Sequence, residues 1–112
     1  MSRTVIATPL FARHLQEFVD HYAELGATRF LERLEAGYRN LVENIETFEE
    51  IAPARRGRIG GKIVTVREYV LDAGARDFVI LYWLPPDPEE PAVLLNIRIG
   101  GQHRCRWKKR DT

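Results

Sequence analysis

Apolar residues recur at intervals of three and four positions in two segments of the first half of the chain, 10–25 and 30–48. This spacing places the apolar side chains on one stripe of an α-helix, which is the face that packs on a core. With a cap at Thr28, the break between the two helices is about two or three residues. We therefore predict two helices that fold back on each other as an antiparallel hairpin.

Residues at the ends of these stripes are typical of helix boundaries. Thr8 and Pro9 suit the N-cap and the first position of a helix. The threonine hydroxyl accepts a hydrogen bond from a backbone amide that has no partner within the helix, and proline has no amide hydrogen to leave unpaired. Gly26 suits the residue after the helix end. We expect Thr28 to cap the second helix. Gly37, inside that helix, is expected to let another backbone approach closely.

After Pro53 the apolar period changes from 3.6 to two residues, which is the period of a β-strand. A basic, glycine-rich loop at 55–61 separates the helical region from the strands, and a proline-rich loop at 85–91 precedes the last strand. The order β-α-α-β-β-β predicts an α+β fold, a small antiparallel sheet packed on an N-terminal helix hairpin. The predicted strands are 3–7, 63–71, 78–84 and 92–100.

Length and composition limit the class of protein. With 112 residues, of which 45% are hydrophobic and 29% charged, the chain is expected to form one globular domain, 1–112. No apolar run approaches the roughly 18 residues of a membrane span. The first residues have no apolar signal segment, and one cysteine cannot form an internal disulfide. We expect a cytoplasmic, soluble protein that does not bind a membrane.

Charge is distributed unevenly along the chain. Residues 1–50 carry five arginines against nine acids, and residues 51–112 carry twelve cations against seven acids. Clustered cations create a local positive potential, for which a nucleic acid or an acidic protein is the natural partner. The alternative is that terminal cations are merely solvated. The two clusters are Arg55, Arg56, Arg58 and Lys62, and Arg98, Arg104, Arg106, Lys108, Lys109 and Arg110.

Most chemical motifs are missing from the sequence. Gly57, Gly60 and Gly61 precede a strand rather than a helix, so they are weak candidates for a phosphate loop. His103 and Cys105 lack the second ligand pair that a tetrahedral metal site needs. Cys105 also lacks an organised base and orienting group for nucleophilic attack. We expect neither a metal nor a cofactor.

The C-terminal segment 100–107 combines cations with an aromatic residue. In an extended strand, Arg104 and Arg106 would share one face and suit phosphate, which arginine binds through paired hydrogen bonds. Trp107 offers a face for stacking, and His103 could transfer protons near neutral pH. The alternative is that Trp107 packs into the core and that His103 is only exposed.

The order of these elements resembles the RelE/ParE superfamily of toxins from bacterial type II toxin–antitoxin (plasmid-stabilisation) operons. The resemblance covers most of the chain. It rests on the opening strand with Thr8-Pro9, the helix hairpin, and the sheet segments 66–71, 78–82 and 94–101. It implies a small antiparallel sheet that carries the hairpin. RelE-like members cleave mRNA in the ribosomal A site without metal, ParE-like members poison DNA gyrase, and an antitoxin wraps and neutralises both.

The resemblance leaves the catalytic reading open. If the protein is a RelE-like, metal-independent endoribonuclease, the resemblance implies that His103 and Arg104 are catalytic. Arg58 and Lys62 would resemble the basic residues that precede the family's sheet. RelE needs a base, an acid and cations around the scissile phosphate.

Two positions favour the ParE-like reading. Val79 stands where the resemblance places the central arginine of RelE, and Trp107 stands near its late tyrosine. We therefore expect an inhibitor of gyrase, with a RelE-like ribonuclease and a non-toxic interaction module of the same fold as alternatives. The expected partners are a cognate antitoxin and either DNA gyrase or the ribosome with mRNA; the apolar central strand also suits a homodimer. Residues expected to contact the target are Arg58, Lys62, Arg67, Arg98, Arg104, Arg106, Trp107, Lys108 and Lys109.

Overall fold

Two helices and five strands follow one another in the computed structural model, which describes residues 3–74 and 76–100. Apart from β1, the strands follow the helix hairpin along the chain, so the predicted α+β class is confirmed. None of the helices in these described residues is long and apolar enough to cross a membrane. The elements are β1 (Val5–Ala7), α1 (Pro9–Glu24), α2 (Thr28–Thr47), β2 (Ala54–Ile59), β3 (Lys62–Asp72), β4 (Asp77–Trp83) and β5 (Ala92–Ile99).

The first helix begins and ends as predicted, whereas the predicted cap of the second is wrong. The Thr8 hydroxyl accepts a hydrogen bond from the Phe11 amide at 3.2 Å. Gly26 follows α1 with a φ of 68°, a conformation that costs glycine little. Thr28 is already the first helical residue of α2. Ala27 therefore occupies the cap position, where no side chain bonds to the helix.

The sheet is mixed, which corrects the prediction of a wholly antiparallel sheet. Its strand order is β1-β5-β4-β3-β2, and β1 pairs with β5 in parallel, with Val5 opposite Ala92. The other neighbouring strands are antiparallel. Parallel strands need a long crossover connection. Here the helix hairpin and strands β2 to β4 form that connection. The chain then returns to the side of β1, and β5 runs in the same direction as β1.

The segment predicted as the loop 55–61 is mainly a strand. Residues 54–59 form β2, which pairs antiparallel with β3. The turn is Gly60-Gly61, with φ values of 58° and 81°, as tight hairpin turns require. The sequence prediction failed because charged residues and glycines suggest a loop. An edge strand also tolerates charge, which discourages pairing with other chains.

The helices pack against one face of the sheet and form a single hydrophobic cluster with it. Phe78, Ile80 and Tyr82 alternate along β4 and are fully buried on that face. Gly37 of α2 allows a close approach, although to a side chain rather than to the predicted backbone. A Cβ atom at Gly37 would lie 2.8 Å from Cδ2 of Leu71 on β3.

A buried arginine ties the proline-rich loop to the rest of the fold. Arg3 is 6% exposed. Its Nε donates to Oε2 of Glu49 at 2.9 Å. Its Nη1 donates to the carbonyl oxygens of Pro85 at 3.0 Å and Glu90 at 3.1 Å. The loop between β4 and β5 is thus held by a side chain that precedes β1.

Candidate functional site

A groove of about 580 Å³ lies on the sheet face that points away from the helices. Because side chains alternate along a strand, Leu81 of β4 faces this side while Ile80 and Tyr82 face the helices. Val66 of β3 and Leu81 form the floor. One wall is β2, and the other is β5 with the first turn of α1, including Leu10.

An irregularity in β5 shapes the second wall. The register between β4 and β5 shifts at Leu81 and Tyr82, so that Asn96 pairs with Leu81 but Leu94 pairs with Tyr82. The intervening Leu95 is an extra residue, as in a β-bulge. As a result Leu95 and Asn96, although consecutive, both line the groove, while Leu94 is buried in the core.

The first wall comes close to the floor at a glycine. A Cβ atom at Gly57 would lie 2.9 Å from both methyl groups of Val66. Any larger residue would therefore push β2 away from the floor. Gly57 lies between two exposed arginines, Arg56 and Arg58, which border the groove, although their pairing with Thr65 and Ile63 puts their side chains on the other face of β2.

Four arginines line the groove within the part of the chain that the structure describes. They are Arg55, Arg56 and Arg58 of β2 and Arg98 of β5. Glu68 of β3 pairs with two of them, at 3.1 Å from Arg55 and 3.0 Å from Arg98. The excess positive charge makes this groove, here called the arginine groove, a surface for anionic groups.

The structure separates the predicted target-contacting residues. Arg58 and Arg98 line the arginine groove, whereas Lys62 begins β3 opposite Ile59 and is not one of the lining residues. Arg67 lies on the other face of the sheet and donates to the carbonyl oxygen of Ala52 at 2.7 Å. The predicted residues His103, Arg104, Arg106, Trp107, Lys108 and Lys109 lie outside the described residues.

Several lining residues were not predicted as site residues. The charge cluster already contained Arg55 and Arg56, and this was the signal that could have found them. Asn96 carried no such signal, because its position depends on the bulge. Oδ1 of Asn96 lies 2.8 Å from Nδ1 of His14 on α1, so the groove wall and the helix are joined by a hydrogen bond.

The polar residues that line the groove in the described part of the chain are arginines, Thr8 and Asn96. An arginine side chain stays protonated in proteins, and Asn96 and Thr8 are neutral hydrogen-bonding groups. Burial raises the pKa of Tyr82, but this tyrosine lies in the core on the helix side of the sheet. No group of three or more metal-ligating side chains occurs among residues 3–74 and 76–100.

A second cavity, of about 340 Å³, lies between the two helices. It is lined by apolar residues of both helices, with Glu32 and Glu35 beside them, and by none of the predicted site residues. Burial raises the pKa of Tyr38, which also lines this cavity. The cavity lacks the cations that distinguish the arginine groove.

Comparison with known proteins identifies no relative from which a function could be inferred. The chain matches no protein-family model, no curated protein and no solved structure.

Proposed function

We propose that this protein is the toxin of a bacterial type II toxin–antitoxin system of the RelE/ParE kind, a ParE-like inhibitor of DNA gyrase that a cognate antitoxin neutralises. The proposal joins the family resemblance of the sequence to one structural observation. Arg55 and Arg98 face an aliphatic floor on the free face of the sheet, and Arg56 and Arg58 border it on the edge strand. Such a surface favours association with an acidic partner.

The choice of a binding toxin over a ribonuclease depends on the chemistry of the groove. Attack by a 2′-hydroxyl requires a base to remove its proton and an acid to protonate the leaving oxygen. The described lining residues supply neither group, and the one carboxylate beside them, Glu68, is paired with Arg55 and Arg98. Val79, at the position that corresponds to the central arginine of RelE, is buried on the groove side of the sheet, opposite Arg98.

A RelE-like ribonuclease is the second candidate, because one observation favours it. The guanidinium groups of Arg55 and Arg98, which face one groove, would stabilise the charge that develops on a phosphate during cleavage. His103 and Arg104 would then be needed for the proton transfers. This candidate and the first make opposite predictions about mRNA.

The deciding experiment combines a gyrase supercoiling assay with mapping of mRNA 5′ ends in a purified translation reaction. The wild-type protein is expected to inhibit supercoiling and to create no new 5′ ends. The double variant Arg58→Gln/Arg98→Gln should need about tenfold more protein for the same inhibition, because each lost charged hydrogen bond costs about 1 kcal/mol or more. Arg39→Gln is the control, since Arg39 lies on the exposed face of α2.

The other outcomes each select a different function. New 5′ ends at A-site codons that need the ribosome would replace the gyrase proposal with the RelE-like one. A protein that is folded by circular dichroism but active in neither assay would be a non-toxic interaction module. Inhibition that is equal for the double variant and the control would remove the arginine groove from the gyrase contact.

A further inference from the structure

One carboxylate already occupies the space between two arginines of the arginine groove. Oε1 of Glu68 accepts a hydrogen bond from Nη1 of Arg55 at 3.1 Å, and Oε2 accepts one from Nη2 of Arg98 at 3.0 Å. The three residues come from β3, β2 and β5. Their side chains are 27%, 51% and 38% exposed, so an incoming ligand can reach this bridge.

We propose that Glu68 is an internal counter-ion that an acidic peptide segment of the partner displaces when it binds the arginine groove. The inference rests on the proposed function, because it takes this groove as the partner-binding surface. The two guanidinium groups are positioned around a carboxylate in the free protein. A glutamate or aspartate of the partner can accept the same two hydrogen bonds once Glu68 turns away.

The floor of the groove selects a peptide rather than a single-stranded nucleic acid. The floor and the far wall present the aliphatic side chains of Val66, Leu81 and Leu95. Nucleic acids without base pairing are held largely by stacking of bases on aromatic rings. No aromatic side chain lines the groove in the described residues. An extended peptide with alternating apolar and acidic residues would place one set on the floor and the other on the arginines.

Glu68 competes with a ligand carboxylate for the same two arginines. A neutral or basic peptide cannot replace the carboxylate, so Glu68 stays paired with Arg55 and Arg98 when such a peptide binds. An acidic peptide exchanges one set of ion pairs for another. Glu68 therefore lowers the affinity for acidic ligands, and removal of its charge should raise that affinity without changing the affinity for neutral ones.

The test measures binding of fluorescein-labelled peptides to the full-length protein by fluorescence anisotropy. The probe is a ten-residue peptide of alternating leucine and glutamate, and its matched control has glutamine in place of glutamate. Glu68→Gln should bind the acidic probe about fivefold more tightly, since exposed ion pairs contribute modestly. The same substitution should leave the glutamine peptide within about twofold. Glu35→Gln, in an exposed pair with Arg39 on α2, should change neither affinity.

A second variant separates displacement from positioning. Arg55→Gln should weaken the binding of the acidic probe, and circular dichroism should show that the variant remains folded. If Glu68→Gln binds the acidic probe no better than the wild type, Glu68 only holds the arginines in place and the inference is wrong. Glu68→Gln could instead bind a ten-nucleotide oligouridylate, and not the peptide, more tightly than the wild type does. That result would assign the groove to nucleic acid and refute the acidic peptide as its ligand.

The two proposals can fail separately. Tighter peptide binding by Glu68→Gln in a protein that does not inhibit gyrase would refute the proposed target and retain the exchange of Glu68. Gyrase inhibition by a protein that fails to bind the acidic probe in either form would refute the exchange and retain the target.

Discussion

The buried side chain of Arg3 offers the sharpest test of how this fold is held together. Its guanidinium donates to both carboxylate oxygens of Glu49, at 2.9 and 3.3 Å. It also donates to three backbone carbonyl oxygens of the loop between β4 and β5, those of Pro85, Asp87 and Glu90. Replacement of Arg3 by methionine keeps most of the side-chain volume and removes all of these hydrogen bonds.

The expected loss follows from the exposure of each partner. Breaking a buried ion pair by removing one member costs about 3–5 kcal/mol, because the remaining charge stays without a partner. Glu49 is 35% exposed, so water can solvate its carboxylate in the variant. Asp87 and Glu90 are exposed as well, whereas the hydrogen bond to the Pro85 carbonyl is buried. We therefore expect Arg3→Met to lower the free energy of unfolding by about 3 kcal/mol, which corresponds to roughly 10 °C in Tm.

Urea unfolding followed by far-ultraviolet circular dichroism measures this change. Arg3→Lys should recover less than half of the loss, because an ammonium cannot reproduce the planar set of donors. Arg39→Met is the control: its exposed pair with Glu35 should contribute less than about 0.5 kcal/mol. If Arg3→Met unfolds within about 0.5 kcal/mol of the wild type, the network does not stabilise the fold and the reasoning is wrong.

Two further predictions concern the core. The pKa of Tyr82 is raised chiefly by burial, although the Ala52 amide and Arg67 lower it. As the pH rises, this tyrosine therefore ionises first in the unfolded chain. Its contribution to the free energy of unfolding should be constant below pH of about 10 and fall above it. In urea titrations, Tyr82→Phe should reduce the loss of stability at alkaline pH. At neutral pH it should lower the free energy of unfolding by about 1–2 kcal/mol, because the hydrogen bond to the Glu49 carbonyl is lost. An unchanged fall in stability at alkaline pH would exclude Tyr82 as its cause. Gly37→Ala should lower the free energy of unfolding by about 1 kcal/mol, because overlap with Leu71 outweighs the gain in helix propensity. Adding Leu71→Val to this variant should reduce that loss. A Gly37→Ala protein more stable than the wild type would contradict the close contact.

Local patterns predicted the helices and most strands because their causes are local. The three-and-four spacing of apolar residues and the Thr8-Pro9 start determine where α1 lies. The alternation after residue 62 indicates where the chain is extended. The β2 strand was missed since its apolar positions are few, and a Gly60-Gly61 turn between charged residues is typical of loops as well as of hairpins.

The candidate site could be predicted only in part. The sequence showed that cations cluster at 55–62 and near 98, and both clusters contribute to the arginine groove. It could not show that Arg67, in the middle of a strand, faces the helices while Arg98 faces the groove. The face of a strand depends on register, and a shift of one residue exchanges the two faces.

The sequence by itself determined the type of every element except β2, and also the positive charge of the second half of the chain, because periodicity and charge are properties of neighbouring residues. Tertiary structure alone decided three features: the parallel pairing of β1 with β5, the bulge that places both Leu95 and Asn96 in the groove, and the burial of Arg3 against Glu49. Each of these joins residues that are more than ten positions apart. Such contacts form only when the whole chain has packed, since hydrogen bonds between strands and from a buried guanidinium require partners that local sequence does not identify.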